Sequence, residues 1–503
     1  MELDKDLHSI QEARDLVKKS NAAQKILEEF SQEKINMIVK SMADAAIENS
    51  EILAKLAVEE TNIGIFEHKV QKNLFASKTV YEFIKDLKTV GFIKELPEKK
   101  VYEIAEPMGV IVGIIPTTNP TSTIFHNALI AVKARNAIIF SPHPNAVKCS
   151  KAAADILNDA ARNAGAPDDT VLCMETVTME GTNTLMKHPD VNLILATGGT
   201  ALVKAAYSSG TPAIGVGPGN VPAYIEKSAD IKRAVENIII SKTFDNGVVC
   251  SSEQNIVVDR EISNKVKETF KELGGYFLSD EEQKNIEKIL FSSKGIPSID
   301  IVGRSATSIA KRAGIDVPPN TKVLIAELKG VGPDFPLSKE KLSPVLAYYE
   351  VEDWLEGCEL CIKILKFEGL GHTLVIHSNN EEVIKSFALK KPAFRILVNT
   401  GGSQGAIGLT TGLDPSMTLG CGAMGGGITS DNVTPYHLMN IKRLAYPLSE
   451  LTLEEAKPQK EEENTIEKTV TEEKISPQEE ENHLTDEEIE GIVKEFLKWR
   501  TGR

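Results

Sequence analysis

The sequence predicts an α/β protein with two doubly wound domains. Its 503 residues exceed what a single hydrophobic core usually serves, so two or more domains are expected. From about residue 108 to 226, short apolar runs alternate with amphipathic stretches, as in strand–helix units around a parallel sheet. The alternation returns from about 229 to 427. We therefore expect a dinucleotide-binding domain over 1–228 and a catalytic domain over 229–427.

The first domain has the clearest pattern. Apolar, β-branched runs predict strands at 109–115, 137–140, 191–195 and 213–216. Amphipathic stretches between them predict helices at 121–134, 146–164 and 200–208. Such sheets carry many unrelated functions, so function has to be argued from particular residues.

Composition excludes several classes of protein. The net charge of −15 and the absence of a basic patch argue against a nucleic-acid partner. Residues 1–30 are charged throughout and predict an amphipathic helix instead of a signal peptide, and no apolar run reaches membrane-spanning length. Six irregularly spaced cysteines indicate reduced thiols and a cytoplasmic location.

A metal site is not expected. Cys358 and Cys361 form a Cys-x-x-Cys pair, but they lie within a helical pattern over 354–367. Because a four-ligand site needs further Cys or His at matching spacing, we interpret the pair as structural.

The segment Phe244-Asp-Asn-Gly-Val-Val-Cys250 carries the strongest functional signal. Cys250 follows a turn-forming Asp-Asn-Gly and precedes a strand-like run. A thiol at such a junction, with backbone N–H groups around it, can attack a carbonyl and stabilise the resulting oxyanion. The alternative is that Cys250 is a small buried hydrophobe.

The segment resembles the active-site loop of the aldehyde dehydrogenase superfamily, in particular its coenzyme A-acylating branch. The resemblance extends from about residue 12 to 447. It implies a Rossmann-type cofactor domain, an α/β catalytic domain, and a small β arm made by a hairpin near 98–108 and a strand within 428–450. In this family the arm pairs subunits, so a homodimer or homotetramer is expected. The alternative is that these are edge strands of the main sheet.

The loop Ile115-Pro-Thr-Thr-Asn119-Pro120 supplies the second candidate residue. A carboxamide N–H is a neutral donor to a developing oxyanion, and the flanking prolines restrict the loop. By itself, Asn-Pro is an ordinary turn signal. The resemblance implies that Asn119 is the oxyanion donor, together with the backbone N–H of Cys250, and that Thr117 lies at the cofactor.

A further loop, Ala196-Thr-Gly-Gly-Thr200, is predicted to join a strand to a helix N-terminus, where a phosphate binds favourably. The resemblance implies an NAD site, with NADP not excluded by any residue. Its expected contacts are Thr197, Gly198, Gly199, Ser141, His143 and Glu340. Without the resemblance, Glu340 would be interpreted as a solvated surface carboxylate.

Gly215 bears on the choice of reaction. Within Ile214-Gly-Val-Gly-Pro-Gly-Asn220 it occupies the place where hydrolytic aldehyde dehydrogenases carry a glutamate base. Without a carboxylate to activate water, hydrolysis of a thioester should be slow, and a thiol must resolve it. Coenzyme A is the co-substrate that the resemblance implies. A tight turn would also explain these glycines.

Two further segments match the family. His372 precedes a strand predicted at 374–377 and is a candidate to orient the substrate or assist proton transfer, although it could be structural. Cys421 lies in a glycine-rich run over 418–427 that is expected to line the substrate channel. A packing or turn role for Cys421 is the alternative.

The resulting hypothesis is reversible oxidation of an aldehyde, with coenzyme A and NAD, to an acyl-CoA and NADH. Acetaldehyde or propionaldehyde is the expected substrate. Sulfoacetaldehyde or succinate semialdehyde would need a cationic pocket residue that the sequence does not identify. Two different functions also fit the sequence: a hydrolytic aldehyde dehydrogenase with its base elsewhere, and a non-catalytic assembly protein of a microcompartment.

The C-terminal segment differs in composition. Residues 451–482 are rich in acids and poor in apolar residues, which predicts a disordered linker. Residues 483–503 predict a short amphipathic helix, with Thr485 and Glu488 as a capping box. It resembles the terminal helices with which enzymes of bacterial microcompartments bind shell proteins. The alternative is that it packs on its own catalytic body.

Overall fold

The computed structural model describes residues 4–292 and 295–452. The chain divides into two units at Tyr446, and everything below concerns the first unit. The expected linker lies outside the described residues apart from Leu451 and Thr452. The expected docking helix over 483–503 lies outside them entirely.

Five helices open the chain. The amphipathic helix predicted near the N-terminus is confirmed; the side chain of Asp4 caps it, and it buries Ala13, Val17 and Leu27. A π-helical turn over Phe75–Thr79 joins the last two helices. The five are α1 (Lys5–Leu27), α2 (Gln32–Glu48), α3 (Ser50–Thr61), α4 (Phe66–Leu74) and α5 (Val80–Ile84).

A hairpin follows, made of β1 (Gly91–Leu96) and β2 (Val101–Pro107). The hairpin predicted near 98–108 was placed too late, because its first strand begins at Gly91. That strand is half exposed and carries Lys94 and Glu95, so its apolar signal is weak.

Next comes a five-stranded parallel sheet, in the order β5-β4-β3-β6-β7. All strands and helices predicted here are confirmed within a few residues. Two additional elements, β5 and α8, were not predicted; β5 has three residues, too few for a recognisable period. The elements are β3 (Val110–Ile115), α6 (Pro120–Lys133), β4 (Ala137–Pro142), α7 (Val147–Asn163), β5 (Val171–Cys173), α8 (Met179–Lys187), β6 (Leu193–Thr197), α9 (Thr200–Tyr207) and β7 (Ala213–Val216).

A seven-stranded parallel sheet follows, in the order β10-β11-β12-β9-β8-β13-β14. Its elements are β8 (Val221–Ile225), α10 (Ile231–Thr243), β9 (Glu253–Asp259), α11 (Arg260–Glu272), β10 (Gly275–Phe277), α12 (Asp280–Leu290), α13 (Ala306–Arg312), β11 (Val323–Glu327), β12 (Val345–Val351), α14 (Trp354–Phe367), β13 (Gly371–His377), α15 (Glu381–Leu389), β14 (Ala393–Val398) and α16 (Gly402–Ala406). Strand membership changes from the first sheet to the second between Val216 and Val221. The boundary at 228 stays a prediction.

The last strand, β15 (Met439–Ala445), pairs antiparallel with β2, with Ile441 opposite Ala105. The resulting sheet, β1-β2-β15, is separate from both parallel sheets. The alternative that these are edge strands of the main sheet is therefore wrong.

One buried apolar cluster joins the two parallel sheets. It includes Ile111 and Phe125 of the first sheet region and Ile256 and Tyr348 of the second. The carboxyl ends of the strands, where loops carry binding residues in such folds, are thus held on a common core. In the described part of the chain, no helix combines the length and apolar character needed to cross a bilayer.

Candidate active site

The loop that carries Cys250 joins α10 to β9. Asp245 and Asn246 adopt positive φ angles of 50° and 55°, and Gly247 follows at 74°. Three successive left-handed residues turn the chain sharply and lead Cys250 to a partly exposed position. The turn predicted from Asp-Asn-Gly is confirmed.

The Cys250 side chain is held as a thiol. Burial raises its pKa to about 12; the charges of Glu340 and Cys421 add to this, and that of Arg395 opposes it. At neutral pH the sulfur is therefore protonated, and attack on a carbonyl requires a group that accepts its proton.

Gly219 brings three of the candidate residues together. A β-carbon at this position would overlap the carbonyl oxygen of Cys250 and would lie 3.1 Å from Cε1 of His372. The Gly219 N–H donates to Glu340 Oε1 at 2.9 Å. Only a glycine fits here, so Cys250, His372 and Glu340 surround one glycine turn.

His372 is the second residue of β13, so the expectation that it precedes the strand was wrong. The strand begins earlier because Gly371, at a φ of 76°, pairs with Ala393. The imidazole is buried, its Nδ1 lies 3.0 Å from Thr373 Oγ1, and its Nε2 has no partner among the described residues. Burial lowers the pKa of His372 to about 3, and Arg395 lowers it further, so the ring is neutral.

Arg395 was missed by sequence reasoning. It is a buried cation on β14 that binds neutral oxygens, donating to Gly420 O at 2.5 Å and to Ser430 O at 3.1 Å. These bonds fix the glycine-rich segment in which Cys421 is buried. The available signal was a single arginine in the apolar run Ala393–Val398.

Asn119 lies in the loop after β3, immediately before α6, with Pro120 as the first helical residue. Its Oδ1 accepts a hydrogen bond from Lys72 Nζ at 2.6 Å, and its Nδ2 donates to Thr118 Oγ1 at 3.1 Å. Thr117 is partly buried in the same loop. Lys72 was not a candidate from the sequence, because nothing in its helix distinguishes it from a surface lysine.

The expected cofactor loop lies at the end of β6. Thr197 closes this strand and Gly199 directly precedes α9, as predicted. Thr197 Oγ1 is buried without a hydrogen-bond partner in the described chain, the N-terminus of α9 has no side-chain cap, and a β-carbon at 199 would meet nothing within 4 Å. Gly198 differs, because a β-carbon there would contact Leu202. The unpaired hydroxyl and helix N-terminus fit the phosphates and hydroxyls of a dinucleotide.

Ser141 and His143 lie at the carboxyl end of β4. Ser141 is buried and shares a 2.9 Å hydrogen bond with Thr182, whereas His143 is exposed and accepts one from the Asn145 N–H. Because β4 and β6 flank β3 on opposite sides, the loops after these strands border the point where the strand order reverses. Nucleotides bind at such points in open α/β sheets.

Gly215 lies in β7 against Tyr207. The Tyr207 hydroxyl accepts from the Gly215 N–H at 3.0 Å and donates to its carbonyl at 3.2 Å. A β-carbon at 215 would lie 2.6 Å from Val203 and 2.7 Å from the Tyr207 hydroxyl. The position therefore has no room for a side chain unless Tyr207 moves.

Glu340 is buried, contrary to the surface alternative. Burial raises its pKa to about 8, and the neighbouring Glu368 contributes to the rise. The Glu340 N–H donates to Glu368 Oε2 at 2.9 Å. The carboxyl group is therefore mostly protonated at pH 7.

Cys358 and Cys361 are buried in α14, whose bounds match the predicted helix. The Cys358 sulfur accepts a hydrogen bond from Lys391 Nζ at 2.5 Å. The described residues contain no cluster of three or more His, Cys, Asp or Glu suited to a metal ion. That no metal takes part stays a prediction.

Comparison with known proteins identifies the family. The model of the aldehyde dehydrogenase family matches residues 7–274. Aldehyde-alcohol dehydrogenase 2 of Entamoeba histolytica is 47% identical over 86% of this chain and 51% of its own length. Succinate-semialdehyde dehydrogenase (acetylating) of Clostridium kluyveri is 40% identical over 86% of this chain and 95% of its own.

A crystal structure of an acetylating aldehyde dehydrogenase from Geobacillus thermoglucosidasius superposes with a TM-score of 0.88 at 53% identity, covering 89% of this chain and 99% of that one. The chain spans about half the length of the aldehyde-alcohol dehydrogenases that it matches. The resemblance inferred from the Cys250 loop is confirmed. The chain belongs to the aldehyde dehydrogenase family.

Proposed function

We propose that this chain is a coenzyme A-acylating aldehyde dehydrogenase, which converts an aldehyde, coenzyme A and NAD reversibly into an acyl-CoA and NADH. The observation that carries the proposal is the pairing of a nucleophile with a missing base. Cys250 lies at a turn shared with Glu340 and His372, while Gly215 offers no carboxylate and abuts Tyr207.

The chain's own residues supply the first steps. The Cys250 thiol gives up its proton and its sulfur attacks the aldehyde carbon, so that the carbonyl π electrons move to oxygen. The Asn119 Nδ2 and the Cys250 backbone N–H donate to the resulting oxyanion of the thiohemiacetal. Loss of hydride from that carbon leaves a thioester on Cys250.

A bound nicotinamide dinucleotide would supply the hydride acceptor, and coenzyme A the thiol that takes the acyl group. The residues proposed to hold the dinucleotide are Thr117, Ser141, His143, Thr197, Gly198, Gly199 and Glu340. The unpaired Thr197 hydroxyl and the uncapped start of α9 support this assignment. NAD rather than NADP is part of the proposal, and reaction rates with equal concentrations of the two test it.

Tyr207 supports thiolysis over hydrolysis. Its hydroxyl is engaged by both backbone groups of Gly215, so it is not poised to deprotonate a water molecule. Burial also raises the pKa of Tyr207. The thioester on Cys250 therefore persists until a stronger nucleophile arrives.

A small uncharged aldehyde, acetaldehyde or propionaldehyde, is the proposed substrate. Arg395 is the buried cation that acts on Cys250, but its guanidinium donates to neutral oxygens of the surrounding loops, including those of Gly420, Ser430 and Gly371. It therefore has little capacity to pair with a carboxylate or sulfonate on the substrate.

The test is NADH formation from acetaldehyde and propionaldehyde, with and without coenzyme A, with Cys250→Ala as the control. Strict dependence on coenzyme A and no turnover by the variant are expected. Equal rates without coenzyme A would establish water as the acceptor. No NADH with any aldehyde tested, succinate semialdehyde included, would favour the assembly protein.

The remaining partners are proposals of the same kind. All six cysteines are free, which supports a reducing compartment such as the cytoplasm. A microcompartment location and a shell partner depend on residues 483–503. Deleting residues 452–503 should abolish co-sedimentation with shell proteins and leave turnover unchanged; loss of turnover with unchanged co-sedimentation would contradict shell docking.

A further inference from the structure

A buried charge cluster connects the Asn119 loop with the Cys250 loop. It consists of Lys69 and Lys72 on α4 and Asp245, whose side chains are at most 3% exposed. Both ammonium groups contact Asp245 Oδ2, Lys69 at 3.0 Å and Lys72 more closely. Two cations and one anion leave an excess positive charge in a buried site, which is costly unless dipoles compensate it.

The compensating dipoles belong to the oxyanion loop. Lys69 Nζ donates to the Thr118 carbonyl at 3.0 Å, and Lys72 Nζ donates to the same carbonyl at 3.3 Å and to Asn119 Oδ1 at 2.6 Å. If the loop moved away, Lys72 would lose two of its acceptors within a buried site. The cluster therefore holds Thr118 and Asn119 in place.

The same cluster holds the cysteine loop. Asp245 Oδ1 accepts from the Ile65 N–H at 2.7 Å, and the Asp245 N–H donates to His68 Nδ1 at 2.8 Å. Gly64 lies so close that a β-carbon there would overlap the Asp245 carboxylate. These contacts offset the left-handed backbone of Asp245, which costs about 1–2 kcal/mol for a residue other than glycine.

Lys72 also determines which way the Asn119 carboxamide faces. An ammonium group is a donor only, so it must meet Oδ1 and cannot meet Nδ2. One Nδ2 proton then goes to Thr118 Oγ1, and the second has no partner in the described chain. A charged donor on Oδ1 also polarises the amide, which strengthens its N–H groups as donors.

We propose that Lys69, Lys72 and Asp245 form a positioning cluster in which Lys72 orients and polarises the Asn119 carboxamide toward the oxyanion formed on Cys250. The proposal rests on the proposed function insofar as Cys250 is the acyl-accepting nucleophile. Lys69 shares the ion pair and the Thr118 carbonyl with Lys72 but does not contact the Asn119 side chain. It is therefore the matched control.

Burial lowers the pKa of Lys72 to about 7, against the opposing charge of Asp245. The lysines in turn lower the pKa of Asp245, although burial raises it. Each partner thus depends on the other for its charged form. Replacement of either lysine by methionine removes one of two ammonium groups and keeps one counter-ion for the other.

Two reactions of Cys250 separate an oxyanion effect from a displaced loop. Acylation by 4-nitrophenyl acetate forms a tetrahedral oxyanion and expels 4-nitrophenolate, whereas alkylation by iodoacetamide displaces iodide and forms no oxyanion. Neither reaction needs a dinucleotide or coenzyme A. Absence of NADH formation together with normal acylation would therefore contradict the proposed function and leave the positioning cluster intact.

Lys72→Met and Asn119→Ala should each slow acylation roughly 10²-fold, the scale on which a single oxyanion donor acts, and change alkylation less than about twofold. Lys69→Met should keep acylation within about threefold of the wild type. The double variant Lys72→Met/Asn119→Ala should be no slower than Asn119→Ala, because the lysine acts through the asparagine. Cys250→Ala measures the background of the other thiols.

Three outcomes would overturn the proposal: equal slowing of both reactions in Lys72→Met, equal acylation rates in Lys69→Met and Lys72→Met, or multiplication of the two effects in the double variant. If Lys72→Met does not fold, Lys72→Gln retains a neutral donor at the same place. Its ratio of acylation to alkylation should fall several-fold, and an unchanged ratio would contradict the role of the charge.

Discussion

Cys250 combines a nucleophilic role with a resting state that is not nucleophilic. Burial and the nearby Glu340 keep its pKa near 12, whereas a catalytic thiolate at a helix N-terminus or beside a cation has a lowered pKa. The thiol is thereby protected from adventitious oxidation and alkylation until a bound substrate changes its surroundings. Reactivity of the free enzyme should reflect this.

We predict that alkylation of Cys250 by iodoacetamide in the free enzyme rises about tenfold per pH unit from pH 7 to pH 9, because the thiolate fraction rises tenfold per unit below the pKa. Labelling followed by mass spectrometry of the Cys250 peptide measures the rate, with Cys250→Ala as background. A plateau that begins below pH 9 would mean that the thiolate is already formed in the free enzyme.

The principal nucleophile and oxyanion donor could be proposed from the sequence, and their supports could not. Cys250 and Asn119 lie in loops with recognisable turn chemistry. Lys72 and Gly219 act through contacts with residues 47 and 121 positions away, and such pairings appear only once the chain is folded. A lysine on a short helix gives no sequence signal of burial, because lysine is almost always exposed.

At the scale of elements, the turn between β7 and β8 controls the position of Cys250. Gly217 and Gly219 lie in this turn, neither at a positive φ. A β-carbon at 219 would overlap the Cys250 carbonyl oxygen, whereas one at 217 would meet nothing within 4 Å. The two glycines therefore form a natural pair of test and control.

We predict that Gly219→Ala lowers kcat for NADH formation by about 10²-fold or more, because a shift of about 1 Å in a catalytic group has effects of that size. Gly217→Ala should stay within about threefold of the wild type. Thermal melting checks that both variants fold. Equal activity of the two variants would show that close approach at 219 does not position Cys250.

Elements with strong apolar runs were predicted well, and short or polar ones were not. Helix α14 and strand β7 have the predicted bounds. Strand β5 was missed, and β13 begins at Gly371, three residues before its predicted start. Pairing with β14 extends β13 through a glycine and a histidine that carry no strand propensity, so the tertiary partner decides the boundary.

At the scale of the whole molecule, two surfaces support self-association. Strand β14 ends the seven-stranded sheet and exposes Phe394 (42%) and Val398 (39%). The separate three-stranded sheet exposes Phe92 (61%) and Tyr446 (54%). An open sheet edge flanked by apolar side chains is a site for pairing with another chain.

We predict a homodimer or homotetramer at micromolar concentration by light scattering, and a shift toward monomer in Val398→Glu, because a charge on an apolar interface is costly to desolvate. Lys55→Glu on the exposed face of α3 is the control and should leave the mass unchanged. A monomeric wild-type protein, or an unchanged mass of Val398→Glu, would contradict the assignment of this edge to an interface.

The architecture of two parallel sheets and a small third sheet followed from alternation and resemblance, because each reflects many residues at once. The role of the C-terminal segment stays a prediction, since it depends on residues 453–503 outside the described structure. Acyl transfer at Cys250 is therefore the central claim for the molecule as a whole.

The most direct test is a rapid-mixing experiment with enzyme, NAD and acetaldehyde, first without coenzyme A and then with it. We predict a burst of one NADH per active site followed by almost no turnover, acylation of Cys250 detectable by mass spectrometry, and steady turnover once coenzyme A is added. Continuous NADH formation without coenzyme A, or a burst that survives in Cys250→Ala, would contradict the central claim.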